Sequence, residues 1–160
     1  MNTTAAPRTS LLRKRASRLA AAQALYSEAL MEQKTIPAIL AQRLLQSWAD
    51  SRANQVDDLP NVIQPEQALL NALIESAQEH AERIETVIDT MILPHWKKSR
   101  MSLPLLSTLR ACAAESLAYP TRKRATLVEE YTEVAAQITT DEEVAYAHKA
   151  FNLLLDALHG

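Results

Sequence analysis

The chain contains a single glycine, Gly160, which is the last of its 160 residues. Glycine-rich phosphate loops, dinucleotide fingerprints and the glycine-flanked nucleophile elbow all need glycine where the backbone turns sharply or approaches a ligand. Tight two-residue hairpins also favour glycine, because they require positive φ angles. The sequence therefore excludes these nucleotide-binding and catalytic motifs, and it favours an all-α fold.

Apolar residues recur at helical spacing between the prolines and predict six or seven helices joined by mostly short links. The first predicted helix covers about 9–33 and the longest covers about 65–93. Residues 50–64 lack this periodicity, and we interpret them as a long loop. Hydrophobic residues make up 48% of the chain, which is too apolar for a disordered protein. We predict one compact helical bundle, a single domain over residues 1–160.

Few residues offer catalytic or metal-binding chemistry. Cys112 is the one cysteine and lies among alanines, so we expect a buried structural thiol. The four histidines have no partner at the spacing of a metal site. Each carboxylate is explained either by a position at the start of a predicted helix or by a place on a solvated helix face. We therefore predict that the protein is not an enzyme and uses no metal or cofactor. No apolar run reaches the roughly 20 residues that a membrane-spanning helix needs.

Charge is distributed unevenly, although the net charge of the chain is only −2. Residues 1–27 hold five basic residues and no acidic residue, and the rest of the chain carries 12 basic and 19 acidic residues. In a helix, Lys14, Arg15 and Arg18 crowd one side near the N-terminus, where they repel each other and oppose the helix dipole. A polyanion would relieve both effects. The basic N-terminal arm, residues 1–18, therefore predicts binding to nucleic acid.

Two other interpretations of this arm stay open. An arginine-rich start without acidic residues is also typical of an organelle transit peptide. Against this, the apolar face through Leu12, Leu19 and Tyr26 continues past the basic residues without a break. The other interpretation is a solvated helix start with surplus cations.

Two shorter basic patches, residues 97–100 and 122–124, are interpreted as loop charges that aid solubility. Trp96 precedes the first patch, where an aromatic ring can stack on a nucleic-acid base. A position in the hydrophobic core is the favoured interpretation of this tryptophan.

Four segments resemble the NusB family of transcription antitermination factors in order and spacing. The segment Ala21-Ala-Gln-Ala-Leu-Tyr26 is similar to the family's first helix, which follows an arginine-rich start. The segments that resemble later helices of the family are Leu109-Arg110 followed by Glu115, Val128 to Ala135, and Phe151 to Asp156.

This resemblance implies a NusB-like, cytoplasmic RNA-binding protein. Members of the family pair with a ribosomal protein called NusE, hold the boxA element of nascent ribosomal RNA, and help RNA polymerase to pass terminators as part of an antitermination complex. The RNA is single-stranded. The resemblance implies RNA contacts by Arg13, Lys14, Arg15, Arg18 and Gln23, and partner contacts by Tyr26, Arg110 and Glu115.

The chain also departs from the family pattern. The family usually has a lysine and an aromatic residue that help to hold RNA where this chain has Ala136 and Ile138. The alternative interpretation is therefore a NusB-fold adaptor that binds proteins and binds RNA weakly or not at all. A third interpretation is a helical scaffold or homodimer, in which the face with Tyr26 and Glu115 pairs with a second copy.

Overall fold

The computed structural model describes residues 5–32, 34–53, 63–96 and 101–159, and for 5–8 and 49–53 it describes the backbone alone. Within these ranges the chain forms seven α-helices and no β-strand, which confirms the predicted all-α bundle. The helices are α1 (Ala5–Met31), α2 (Pro37–Ala53), α3 (Gln67–Glu79), α4 (Ala81–Val87), α5 (Leu103–Ala118), α6 (Arg124–Ile138) and α7 (Asp141–His159). The described part of the basic arm is the first half of α1 and is continuous with the rest of that helix.

Helix α5 lies at the centre of the bundle and packs against α1, α3, α6 and α7. Residues 111–114 of this helix are Ala, Cys, Ala and Ala, and all four are fully buried. Their small side chains let the neighbouring helices approach closely. Cys112 is thus the buried thiol that the sequence predicted, and burial raises its pKa.

The long helix predicted over about 65–93 is wrong in detail, because the chain bends twice within it. His80 separates α3 from α4 with φ −105° and ψ 18°, outside the helical range. Its backbone N–H still donates to the Ser76 carbonyl at 2.9 Å, so the break is a bend rather than a loop. After α4 the chain continues as a short π-helical segment (Ile88–Ile92) and a 3₁₀ turn (Leu93–His95), where the helix ends. Pro94 explains this change, because its ring cannot fit a regular α-helical turn.

Helix α2 continues to Ala53, so the first part of the loop predicted over 50–64 is helical instead. Residues 49–53 contain neither glycine nor proline, and nothing in them stops the helix. The middle of the predicted loop, 54–62, lies outside the described residues. Where the chain is described again, the Trp48 indole N–H donates to the Ile63 carbonyl at 3.2 Å. This bond ties α2 to the residues that precede α3.

The predicted core position of Trp96 agrees with its packing. The ring is half-buried against the hydrophobic core, and its centroid lies 6.1 Å from that of Tyr146. The cations of the adjacent basic patch, 97–100, lie outside the described residues. None of the helices in the described ranges combines the length and the hydropathy that a membrane crossing requires.

Candidate nucleic-acid interface

Arg18 of the predicted RNA-binding stripe lies inside the protein, where it pairs with Glu115 of α5. Its Nε and Nη2 atoms donate to the two oxygens of the Glu115 carboxylate, each at 2.8 Å. The side chains are only 2% and 0% exposed. Burial alone would lower the pKa of Arg18, but the bonds to Glu115 outweigh it and the pKa is raised. This buried arginine therefore stays charged and joins α1 to α5.

The same carboxylate also binds groups from the other side of α5. The Tyr131 hydroxyl of α6 donates to Glu115 Oε1 at 2.7 Å, and Arg122 Nε lies 3.4 Å from Glu115 Oε2. Burial and the negative charge of Glu115 raise the pKa of Tyr131, so this residue stays a neutral hydrogen-bond donor. Glu115 thereby connects α1, α5, α6 and the link between α5 and α6.

Arg15 forms a second ion pair, nearer to the surface. Its Nε and Nη2 atoms donate to the Glu130 carboxylate of α6 at 2.8 and 3.2 Å, and this bond raises the pKa of Arg15. The side chain of Arg15 is 42% exposed, whereas that of Glu130 is 6% exposed. Glu130 Oε2 also lies 3.7 Å from Arg18 Nη1. The Glu115 and Glu130 carboxylates thus lie on the buried side of α1, while the guanidinium group of Arg15 faces the solvent.

Three other residues predicted to contact RNA are more accessible. Arg13 is exposed, and it donates to the backbone carbonyls of Gln64 and Pro65 at 3.2 and 3.4 Å, so its charge has no carboxylate partner in these bonds. Lys14 is half-buried, and within the described ranges it forms no ion pair. Gln23 is exposed further along α1. A polyanion can reach these side chains, and their contact with RNA stays a prediction.

Arg18 and Glu115 show what the sequence reasoning missed. It assigned the arginine to RNA and the glutamate to a protein partner, whereas the structure pairs them with each other. Both assignments stay untested, and burial of the two side chains disfavours direct contacts. A local signal was available, because Arg18 is followed by Leu19 and the alanines at 20–22, a run typical of a buried helix face.

The predicted partner residues do not form one surface. Arg110 borders a cavity of about 570 Å³ between α1, α3, α4 and α5, and its guanidinium donates to Glu85 at 2.5 and 3.2 Å. Tyr26 is half-buried on α1 but is not among the residues lining this cavity, and Glu115 lies inside the bundle. The floor of the cavity is apolar, with Leu25, Ala29, Ala77, Ala81 and Ile84, and its rim is mostly acidic, with Glu28, Glu32, Glu82, Glu85 and Lys34.

The positions that depart from the family pattern lie near the end of α6. Ala136 is exposed and Ile138 is half-buried, so this end of the helix presents neither a charge nor an aromatic ring at those two positions. In the described part of the chain, no three potential metal ligands come together.

Comparison with known proteins agrees with this architecture. A model of the NusB family matches residues 15–147, from Arg15 to α7. The transcription antitermination protein NusB of Hyphomonas neptunium is 26% identical over 136 residues, which cover 85% of this chain and 84% of that protein. The NusB protein of Rickettsia massiliae is 23% identical, over 88% of this chain and 89% of its own length. That of Maricaulis maris is 22% identical, over 87% and 83% respectively.

Proposed function

Because this chain belongs to the NusB family, we propose that it is a transcription antitermination factor that binds RNA together with a protein partner. The relatives it resembles carry the name transcription antitermination protein. The RNA of this proposal is a single-stranded boxA-type sequence, and the partner is the ribosomal protein NusE. The complex would act on RNA polymerase, which places the protein in the cytoplasm with the transcription machinery.

The observation that carries the RNA half of this proposal is the cationic start of α1. Arg13 is exposed, Arg15 is about half-exposed, and Lys14 lies between them. The carboxylate that pairs with Arg15 is buried behind it, so the solvent side of the helix presents cations. Phosphates of single-stranded RNA accept charge-assisted hydrogen bonds from such groups. Affinity of this kind depends on charge more than on base sequence, and base selection then falls to the partner.

The groove beside Arg110 is the cavity of about 570 Å³ described above, and it supports the part of the proposal that concerns the protein partner. Its apolar floor and its rim of four carboxylates fit a basic segment with apolar side chains, as a ribosomal protein offers. Glu28 on this rim lies 14 residues beyond Lys14, about 21 Å along α1. RNA and the partner therefore occupy separate ends of one helix and do not compete for space.

Fluorescence anisotropy with a labelled boxA-type RNA and a scrambled strand, with and without NusE, tests the proposal. We expect tighter binding with NusE, and weaker binding of the Lys14→Ala and Arg13→Ala variants. Arg43→Ala is the matched control, because it also removes an exposed arginine, but from a different helix, α2. If all three variants bind RNA as tightly as the unchanged chain does, the RNA binds elsewhere on the protein. No binding to either RNA in the presence of NusE would overturn the proposal.

The alternative, a NusB-fold adaptor, is favoured by one feature of the chain. Ala136 and Ile138 provide no charge or ring where the family usually has a lysine and an aromatic residue. The same experiment separates the two functions, since an adaptor holds NusE and leaves boxA-type RNA free. A homodimer stays a third prediction, and sedimentation equilibrium of the purified chain measures it directly.

A further inference from the structure

The basic link between α5 and α6 lies next to the cationic start of α1. Arg122 of this link is 3.4 Å from Glu115, the carboxylate that also binds Arg18. Two basic segments more than a hundred residues apart in the chain therefore meet at one buried carboxylate. The sequence predicted that residues 122–124 are loop charges that aid solubility. In the structure Arg122 adjoins the arm through Glu115, whereas Arg124 is the first residue of α6 and pairs with Asp156 of α7.

The Arg122 side chain is held in place but keeps hydrogen-bonding capacity. Its guanidinium carbon lies 4.2 Å from the centroid of the Tyr119 ring, at the distance of a cation–π contact. The side chain is 25% exposed, but its Nε atom is buried beside Glu115 and makes no hydrogen bond among the described residues, so the two Nη groups are the ones left to meet a phosphate. Glu115 already accepts bonds from Arg18 and Tyr131, so it does not saturate Arg122. A preordered guanidinium group of this kind suits a phosphate, which accepts two of its N–H groups at once.

The balance of charges also favours this side of α1. Three arginines, Arg15, Arg18 and Arg122, share the two buried carboxylates of Glu115 and Glu130, which leaves one positive charge in the cluster. Lys123 is exposed beside Arg122 and adds another.

Arg15, by contrast, faces acidic residues on α6. The charges of Glu129 and Glu133 act on it in addition to that of Glu130. Both glutamates are exposed, so they would repel a polyanion that approaches from that direction. An RNA strand that leaves the start of α1 is therefore drawn toward the link between α5 and α6.

From this arrangement we infer that the α5–α6 link is part of the RNA-binding surface and that Arg122 contacts a phosphate of the bound strand. The inference rests on the proposed function and adds to it a second contact region, far from the arm in sequence. With Arg13 and Lys14, Arg122 makes three phosphate contacts, which correspond to a log–log salt slope near −2 for single-stranded RNA.

The test measures the affinity for a labelled single-stranded boxA-type RNA over a range of salt concentrations. The full chain is compared with its Arg122→Ala, Arg122→Lys and Arg43→Ala variants, with circular dichroism to confirm that each is folded. Loss of one phosphate contact changes the slope by about 0.7 and weakens binding about fourfold at 0.15 M salt. We expect this for Arg122→Ala, whereas Arg122→Lys keeps the slope because it keeps the charge.

The outcomes separate this inference from the proposed function. If Arg122→Ala binds RNA with the slope and affinity of the unchanged chain, while Lys14→Ala weakens binding, the arm is the RNA site and the inference is wrong. If Arg122→Ala lowers affinity at every salt concentration without changing the slope, the phosphate contact is also wrong. If the unchanged chain binds RNA neither alone nor in the presence of NusE, the proposed function and this inference both fail.

Discussion

Arg18 and Glu115 lie 97 positions apart in the chain and form a buried ion pair with two hydrogen bonds of 2.8 Å. Two charges inside a protein are stable there only when each satisfies the other and further hydrogen bonds complete the arrangement. Tyr131 supplies such a bond to Glu115. The pair therefore fixes how α1 sits on α5 and α6, and with it the position of the cations at the start of α1.

We expect Glu115→Gln to destabilise the fold strongly, because it leaves the buried charge of Arg18 with only the more distant Glu130 carboxylate, 3.7 Å from Nη1, as its counter-charge. Breaking a buried pair in this way costs about 3–5 kcal/mol. The free energy of unfolding in urea measures the loss. Glu133→Gln is the matched control, since Glu133 is exposed on α6 and should change stability by no more than about 0.5 kcal/mol. A loss below about 1 kcal/mol for Glu115→Gln would show that the pair is not needed.

Much of the fold was predictable because helices bury one face at a regular spacing. Leu70, Leu73 and Ile74 follow that spacing and are fully buried. The same periodicity continues across His80, where the backbone bends without interrupting the apolar face, so the sequence pattern could not reveal the bend. Helix α2 likewise extends past the end of its apolar pattern to Ala53, because residues without glycine or proline can continue a helix whether or not they are apolar.

The candidate site was less predictable, because its charges are balanced by residues distant in sequence. The local sequence offers Arg15 and Arg18 no acidic partner on α1 within helical spacing, because the first acidic residue of the chain is Glu28. Their partners, Glu130 and Glu115, come from helices that only the tertiary fold brings near. Patterns in a sequence report contacts three or four residues apart and carry no such signal for contacts between helices.

Glu130 offers a second prediction, because its carboxylate holds Arg15 away from other anions. Glu130→Gln removes that charge and frees the half-exposed guanidinium for RNA. We expect the affinity for the boxA-type RNA to rise by about twofold to fivefold, the range of a partly exposed ion pair. Glu82→Gln, at the distant groove, is the control and should leave the RNA affinity unchanged. An unchanged or lower affinity of Glu130→Gln would show that Arg15 contributes nothing to RNA binding.

The pH dependence of stability follows from two buried groups whose pKa values are raised, Cys112 and Tyr131. Burial favours the protonated form of both, so their contribution is fully present below the pKa of the unfolded chain. It is lost as the pH rises above the ordinary values of 9.0 for the thiol and 10.0 for the phenol. We expect the free energy of unfolding to fall by about 1.4 kcal/mol per pH unit for each group.

The Cys112→Ala variant checks this assignment. Without the thiol, the alkaline decrease in stability should begin near the ordinary pKa of tyrosine, 10.0, instead of near 9.0. Urea unfolding between pH 8 and 11 is the measurement, and those limits bracket the reference values of the two groups. A decrease that begins at the same pH in both proteins would assign it to other groups.

The acidic rim of the groove beside Arg110 leads to a prediction about the protein partner. Charges at the rim of an interface act mainly on the association rate, because they steer the partner before contact forms. Reversing Glu82 to lysine should therefore slow association with a basic partner such as NusE at low salt, by up to about tenfold. The difference should shrink at high salt, where the Debye length falls to about 3 Å at 1 M.

Surface plasmon resonance with immobilised NusE measures this rate at several salt concentrations. Glu133→Lys is the matched charge reversal, because Glu133 is exposed on α6 and does not line the groove. If both reversals slow association equally, the effect comes from net charge and the groove has no special role. If only Glu82→Lys slows it, the partner approaches through the groove, at the end of α1 opposite to Arg13 and Lys14.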